Sequence, residues 1–141
     1  MAILAHGAVR AQPCEGAPTD TKLQIVVEAV RSNQGLMTAT LYPDDISKFI
    51  PNNGPLKVWR VAAVAPVTHM CIWLQSPGTY ALAVYHDENS NHKWDHPLLG
   101  RIEGFGFSNN PRTTLAPPPL DAVTFEASAG ETTVHVRLRY P

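Results

Sequence analysis

The stretch Tyr80-Ala81-Leu82-Ala83-Val84-Tyr85 is the most apolar part of the chain, and it predicts the strand around which the fold is organised. Its alternate side chains are apolar on both faces of an extended backbone. A strand that is apolar on both faces is typical of the centre of a sheet. The turn Ser76-Pro77-Gly78 begins this strand, and an eleven-residue polar loop follows it at 86–96.

Short alternating segments continue on both sides of this strand. The chain contains 13 prolines and nine glycines, which favour strands and turns over long helices. Ser32-Asn33-Gln34-Gly35 separates the first two segments, which predicts a hairpin, and Ile46–Phe49 predicts one helical turn. About seven strands with no helical period predict an antiparallel β-sandwich. The other predicted strands are Lys22–Val30, Leu36–Tyr42, Leu56–Val64, Val67–Leu74, Val123–Glu126 and Thr132–Tyr140.

Length and charge limit the function classes. The 141 residues fit one domain, with 44% apolar residues, 16% charged residues and a net charge of −1. No Lys/Arg run or basic face appears, so nothing in the composition suggests a nucleic-acid-binding domain. No run approaches the roughly 18 apolar residues of a membrane span. We expect a single sandwich domain over residues 22–141.

The first 21 residues predict a flexible tail that carries the remnant of an export signal. Val9-Arg10-Ala11 places small residues at the −3 and −1 positions before a cleavage at Gln12. A basic start is absent and the apolar core is short. We therefore expect a periplasmic or secreted protein.

Two cysteines, Cys14 and Cys71, permit one disulfide in an exported chain. Cys71 alternates with Met70, Ile72 and Leu74, whose face is the better candidate for the core. Cys71 would then point outward, where the tail that carries Cys14 can reach it. Two independent free thiols are the alternative.

The polar loop has the register of a calcium-binding loop. Side-chain oxygens fall at alternate positions, and a backbone carbonyl takes the seventh position of such a loop. The twelfth position is Leu98 instead of a bidentate Glu, so the loop is not an EF-hand, and calcium would need an outside ligand such as Glu103 or Asp44. Only two carboxylates lie in register, which predicts a weak structural site with a Kd of roughly 10⁻⁴ to 10⁻³ M. The calcium ligands predicted are Asp87, Asn89, Asn91, Lys93 by its carbonyl, and Asp95.

Two alternatives use the same loop. In the first, Asp87, Asn89 and Asn91 hydrogen-bond the backbone of successive turns without any metal. In the second, a cluster of three histidines with the two aspartates binds a transition metal and activates water for hydrolysis. The histidines of that cluster are His86, His92 and His96.

An ordered set of motifs resembles the bacterial family DUF2141. The set begins with Pro77-Gly78-Thr79-Tyr80-Ala81, continues with the loop from His86 and with Gly106-Phe107-Ser108-Asn109-Asn110, and ends with Pro117-Pro118. The resemblance covers roughly residues 23–138. It implies an exported sandwich that is similar to transthyretin-like and carboxypeptidase-regulatory-like domains, without an established activity. The predicted fold class is therefore a transthyretin-like or immunoglobulin-like antiparallel sandwich.

One departure from that family lies inside the loop. The family tends to have an Asn-Gly-Asn-Gly run, where this chain has Ser90 and His92. Glycine suits the sixth position of a calcium loop because the chain turns there in a conformation that is costly for other residues. Histidine can adopt the left-handed conformation, but less readily than glycine.

The chain offers no other catalytic motif, and its aromatic residues suggest a partner surface. There is no Gly-x-Ser-x-Gly elbow, phosphate-binding glycine loop or Cys-x-x-Cys pair. Trp94, Phe105 and Phe107, with Trp59 and Trp73, would form an exposed patch for another envelope protein; alternatively, Phe105 and Phe107 fold back over the sandwich. The sequence therefore predicts a non-catalytic binding or assembly module, with a metal-dependent hydrolase as the alternative.

Overall fold

The computed structural model describes residues 13–50, 54–93, 103–112 and 117–141. Two 3-10 helices, Ile46–Lys48 and Leu120–Ala122, accompany the strands in this part of the chain. The first of them confirms the predicted helical turn. The eight strands are β1 (Thr21–Glu28), β2 (Leu36–Pro43), β3 (Lys57–Ala62), β4 (Thr68–Leu74), β5 (Gly78–Asp87), β6 (Phe105–Phe107), β7 (Thr124–Ala127) and β8 (Gly130–Arg137).

The strands form two sheets. The smaller sheet has the order β4-β1-β8, and the larger has the order β3-β2-β5-β6, with β7 also paired to β5. All pairs are antiparallel except β1 with β8, which run parallel. The prediction of a mostly antiparallel sandwich is confirmed. Strand β5, which contains the apolar stretch, has neighbours on both edges and is central, as its composition indicates.

The predicted hairpin of the first two strands is wrong. Strand β1 pairs with β4 and β8, whereas β2 pairs with β3 and β5 in the other sheet. The connection from 29 to 35 is long enough to cross the roughly 10 Å between stacked sheets. The crossing lets both strands turn an apolar face to the same core. Because alternation specifies a face but no partner, it could not distinguish the crossing from a hairpin.

The main core lies between the two sheets. Leu23, Ile25 and Val27 of β1 are fully buried against Met37 of β2 and Leu82 of β5. At 20 to 30 cal/mol per Å² of apolar surface, burial of each such side chain stabilises the fold by about 1.5–3 kcal/mol.

A second cluster covers the outer face of the larger sheet, where Phe105 and Phe107 are only 7% and 9% exposed. They pack with Tyr42, Phe49 and other apolar residues, including Leu120 from the second 3-10 helix. The prediction that Phe105 and Phe107 form an exposed partner surface is therefore wrong. Segments that follow β2 and precede β7 fold over this face and cover both rings.

The tail before β1 is joined to the smaller sheet by a disulfide between Cys14 and Cys71, with an S–S distance of 2.00 Å. The Glu15 amide donates to the Cys71 carbonyl, and the Trp73 amide donates to the Glu15 carbonyl, each at 3.0 Å. The tail thus occupies the outer edge of β4. No helix among the described residues is both long and apolar enough to cross a membrane.

Candidate functional site

The candidate calcium loop begins at the carboxyl end of β5 with Asp87, which is fully buried. The Asn91 amide donates to Oδ1 of Asp87 at 3.1 Å, and the His92 amide donates to Oδ2 at 2.7 Å. A carboxylate that accepts backbone N–H groups replaces the water that it loses on burial. Asp87 therefore fixes the curvature of the loop from its first position.

Two asparagines continue this pattern along the loop. Oδ1 of Asn89 accepts from the Asn91 amide at 3.2 Å, and Oδ1 of Asn91 accepts from the Lys93 amide at 2.9 Å. These are the Asx turns of the metal-free alternative. An amide oxygen has two lone pairs, so an Asx turn and a metal contact are chemically compatible at the same oxygen. The calcium ligand set stays a prediction, and its last member, Asp95, lies outside the described residues.

The two loop positions at which the family tends to have glycine adopt left-handed conformations. Ser90 has φ 56° and His92 has φ 64°. L-residues are strained in this region because Cβ approaches the following carbonyl oxygen. The loop therefore has the backbone of a glycine-containing loop without the glycines.

Glu103 lies beside the loop, as one of the two outside ligands that the sequence suggested for calcium. Its Oε2 accepts from the Glu88 amide at 3.0 Å, and the residue is 6% exposed. Asp44, the other suggested ligand, is exposed after the end of β2. Of the two, Glu103 is thus the one that the structure brings to the loop.

His86 lies on the inner face of β5 and is fully buried. Its Nε2 is 2.7 Å from the Gln34 carbonyl oxygen, and its Nδ1 is 2.7 Å from the Tyr140 hydroxyl. Because a carbonyl only accepts, Nε2 carries a proton, and when the ring carries no second proton Nδ1 accepts from the Tyr140 hydroxyl. Both nitrogens of His86 thus hold neighbouring parts of the fold.

An ion pair extends this hydrogen-bond network to the surface. Nε and Nη2 of Arg31 lie 3.1 and 2.5 Å from the two oxygens of Glu88, and the Ser32 hydroxyl is 3.0 Å from Oε2. The Arg31 guanidinium also stacks 4.2 Å from the Tyr140 ring centroid. The hydrogen bond from Arg31 lowers the pKa of Glu88, and burial raises the pKa of Tyr140. The network closes the loop end of the sandwich.

The predicted histidine cluster is divided between different environments. His86 is buried and His92 is exposed, while His96 lies outside the described residues. Within the described ranges, no three His, Cys, Asp or Glu side chains are grouped so that they could hold a metal ion. The metal-dependent hydrolase stays a prediction, and it would require His86 to release one of its hydrogen bonds.

The tryptophans predicted to face outward differ in their placement. Trp59 is 5% exposed and belongs to the main core, so the outward position predicted for it is wrong. Trp73 is half-buried, with the Lys22 ammonium 5.4 Å from its ring centroid. Trp94 lies outside the described residues.

The sequence reasoning missed Arg31, Glu88 and Tyr140 as one group. They lie in the first connection, at the end of β5 and after β8, so their separation along the chain conceals their contact. The useful signal was the end of the apolar alternation in β5 at His86, since a histidine on a core face requires partners for two nitrogens.

Comparison with known proteins adds a family assignment. A family model described as an uncharacterized protein conserved in bacteria, DUF2141, matches residues 25–135. No curated protein and no solved structure matches the chain. The family match begins in β1, ends in β8 and includes the loop with its buried support. Because it covers well over half of the sequence, the chain belongs to the bacterial family DUF2141.

Proposed function

We propose that this chain is an exported, non-catalytic binding or assembly module of the cell envelope. In this proposal its partner is another envelope protein, and the loop at 87–95 holds calcium weakly as a structural clip. The observation that carries the proposal is the exposed apolar surface on and beside β3. Leu56, Val58 and Val64 are 55%, 38% and 49% exposed, in a domain that buries Phe49, Phe105 and Phe107.

The disulfide supports export. A bond between Cys14 and Cys71 fixes the tail to β4, and such bonds persist mainly in oxidising compartments such as the periplasm and the extracellular space. The small residues at Val9 and Ala11, before the tail, agree with removal of a signal.

The hydrogen bonds of the buried polar side chains support a non-catalytic role. His86 and Asp87 hold backbone segments at the loop, as described above. The Ser108 hydroxyl accepts from the Leu82 amide at 3.0 Å and donates to the Val123 carbonyl. A groove of about 350 Å³ lies between β6 and β8, and its described lining contains no acid, histidine, serine or cysteine. His86, Asp87 and Ser108 thus stabilise the fold, and none of the three lines this groove.

The calcium clip is supported by the loop geometry. The carboxylate of Asp87 lies at its first position, with Asn89 and Asn91 at the third and fifth, and Glu103 lies against the same segment. With few charges among these ligands, calcium would bind in the weak range of extracellular modules, at roughly 10⁻⁴ to 10⁻³ M.

Thermal unfolding tests the clip and the hydrolase alternative together. The melting temperature is measured in chelator, in about 5 mM calcium and in about 50 μM zinc, for the wild type and for Asp87→Ala. This calcium concentration exceeds the expected Kd of roughly 10⁻⁴ to 10⁻³ M. A ligand that binds only the folded state raises the midpoint once its concentration exceeds Kd. A rise with calcium that is absent in Asp87→Ala supports the clip. A rise with zinc alone would favour the hydrolase, and no rise with either metal would make the loop metal-free.

The binding role needs a test in the bacterial cell. A photo-crosslinking amino acid is placed at Val58, and at Thr133 on the outer face of β8 as a matched exposed control. We expect a discrete crosslinked species from position 58 and none from position 133. Equal labelling from both positions, or none from position 58, would contradict a binding module that uses the β3 surface.

A further inference from the structure

Strand β3 is an open edge of the larger sheet. Within the described residues it pairs with β2 and with no other strand. The Ala63 amide donates to the Gly35 carbonyl at 3.1 Å. Because antiparallel pairs alternate between bonded and non-bonded positions, the Val58, Arg60 and Ala62 amides then point away from β2. A row of backbone donors and acceptors is thus available for another strand.

Both edges of the smaller sheet are protected by this chain itself. The tail at Glu15 bonds to the edge of β4, as described above. At the edge of β8, Oδ1 of Asn110 accepts from the Arg137 amide at 2.8 Å and its Nδ2 donates to the His135 carbonyl at 3.3 Å. Folded proteins usually cover or block their edge strands in this way. Among the described residues, no bond of this kind covers the outer edge of β3.

The side chains of β3 favour an acidic partner. Among the described residues Arg60 has no ion-pair partner, and its Nε is buried without a hydrogen-bond partner. Thr38, directly opposite on β2, has a buried hydroxyl that also lacks a partner. Lys57 already pairs with Glu15 at 3.0 Å, and β3 itself contains no acid. The guanidinium of Arg60 thus lacks the carboxylate that such a group normally binds when it is partly desolvated.

We infer that the open edge of β3 binds an extended segment of another protein as an added strand, with a carboxylate of that segment on Arg60. The inference rests on the proposed function and names the kind of partner. Exposed Val58 and Leu56 would give the added strand its apolar contacts, and the backbone would give its hydrogen bonds. A second copy of this chain is less suitable, because β3 contains no acid and pairing it with itself would leave Arg60 of each copy without a carboxylate from the other strand.

Synthetic peptides test the inference directly. The probes are a nine-residue peptide of alternating valine and glutamate, the same peptide with lysine for glutamate, and the acidic peptide with a central proline. Binding to the intact, oxidised domain is followed by amide hydrogen exchange at residues 58, 60 and 62. We expect the acidic peptide to slow exchange at these amides at least about tenfold, as ladder bonds form. The lysine and proline peptides should leave exchange unchanged.

Substitutions on the chain separate the charge from the strand pairing. Arg60→Gln should reduce the preference for the acidic over the lysine peptide at least about fivefold. A fivefold change in affinity is about the lower end of the usual range for one energetic coupling between two groups. Arg137→Gln, on the exposed edge of β8, is the matched control and should keep the preference. Equal binding of both peptides by the wild type, or protection at β8 instead of β3, would overturn the inference. If position 58 crosslinks in the cell but the acidic peptide does not slow amide exchange, the proposed function stands and this inference fails. If position 58 does not crosslink and the acidic peptide does not bind, both the proposed function and this inference are refuted.

Discussion

The Tyr140 hydroxyl lies 2.7 Å from Nδ1 of His86 and 3.2 Å from the Arg31 amide nitrogen. One phenol group thus connects the segment after β8, the central strand β5 and the connection between the sheets. Its ring also packs edge-on to His86, with the centroids 5.9 Å apart. Tyr140 is therefore one of the contacts that join the two sheets at the loop end of the sandwich.

Removing this hydroxyl should destabilise the domain. Tyr140→Phe leaves the buried Nδ1 of His86 without a donor, and loss of a buried hydrogen-bond partner costs about 1–3 kcal/mol. Urea unfolding at neutral pH measures the loss. Tyr85→Phe is the control, because Tyr85 is half-buried on the outer face of the same strand and should change stability by less than about 0.5 kcal/mol. Equal effects of the two changes would contradict the role of Tyr140.

The ion pair between Arg31 and Glu88 predicts a specific pH dependence. The hydrogen bond from Arg31 lowers the pKa of Glu88 in the folded state. Its contribution is therefore fully present above the ordinary glutamate pKa of about 4.3 and is lost as the pH falls through the lower folded value. Glu88→Gln should cost about 1 kcal/mol at pH 7, since the pair is only partly exposed, and almost nothing near pH 2.

Unfolding by urea at a series of pH values from about 2 to about 7 checks this prediction, because this range spans the titration of a carboxyl group. The difference between the wild type and Glu88→Gln should shrink steadily as the pH falls. Glu131→Gln, at an exposed position of β8, is the matched control and should follow the wild type throughout. A difference that does not change with pH would assign the effect of Glu88 to packing instead of charge.

Much of the fold could be predicted from the sequence because alternation and turn residues act locally. The apolar stretch in β5 and the alternating face of β4 specified a central strand and a buried face without knowledge of their partners. Pairing depends on contacts between residues far apart in the chain, and so β1 was assigned to a hairpin with the wrong neighbour. The second apolar layer was predicted only in part: the alternative in which Phe105 and Phe107 fold back against the sandwich buries both rings, but nothing local shows which segments cover them.

The candidate site could be located more readily than it could be interpreted. The register of Asp87, Asn89 and Asn91 is visible in the sequence, and these residues do organise the loop. The role of His86 was not visible, because its partners are a distant carbonyl and a distant hydroxyl. A histidine at the end of a strand has the same sequence appearance whether it binds a metal or supports the core.

The disulfide should contribute a large share of the stability of the isolated domain. Cys14 and Cys71 are separated by 57 residues, and closing a loop of this length restricts the unfolded chain by about 4 kcal/mol in the chain-entropy model. We expect reductant to lower the melting temperature of the wild type by many degrees, or to unfold it. The double substitution Cys14→Ser with Cys71→Ser should show the same low stability and no response to reductant. A wild type that melts at the same temperature with and without reductant would show that the tail adds nothing to folding.

Restoring glycine to the calcium loop should stabilise the domain. Ser90 and His92 have positive φ angles, at which a non-glycine residue is strained by about 1–2 kcal/mol. Glycine removes this strain, but it also raises the conformational entropy of the unfolded chain, which cancels part of the gain in stability. Ser90→Gly and His92→Gly should therefore each raise the free energy of unfolding by about 0.5–1 kcal/mol, and the His92 amide can still donate to Asp87. Lys93→Gly is the matched control, because Lys93 has no positive φ and should lose stability. Urea unfolding in chelator removes any contribution from calcium, so a gain there can come only from the backbone. Destabilisation by all three changes would show that the side chains of Ser90 and His92, instead of their backbone, maintain the loop.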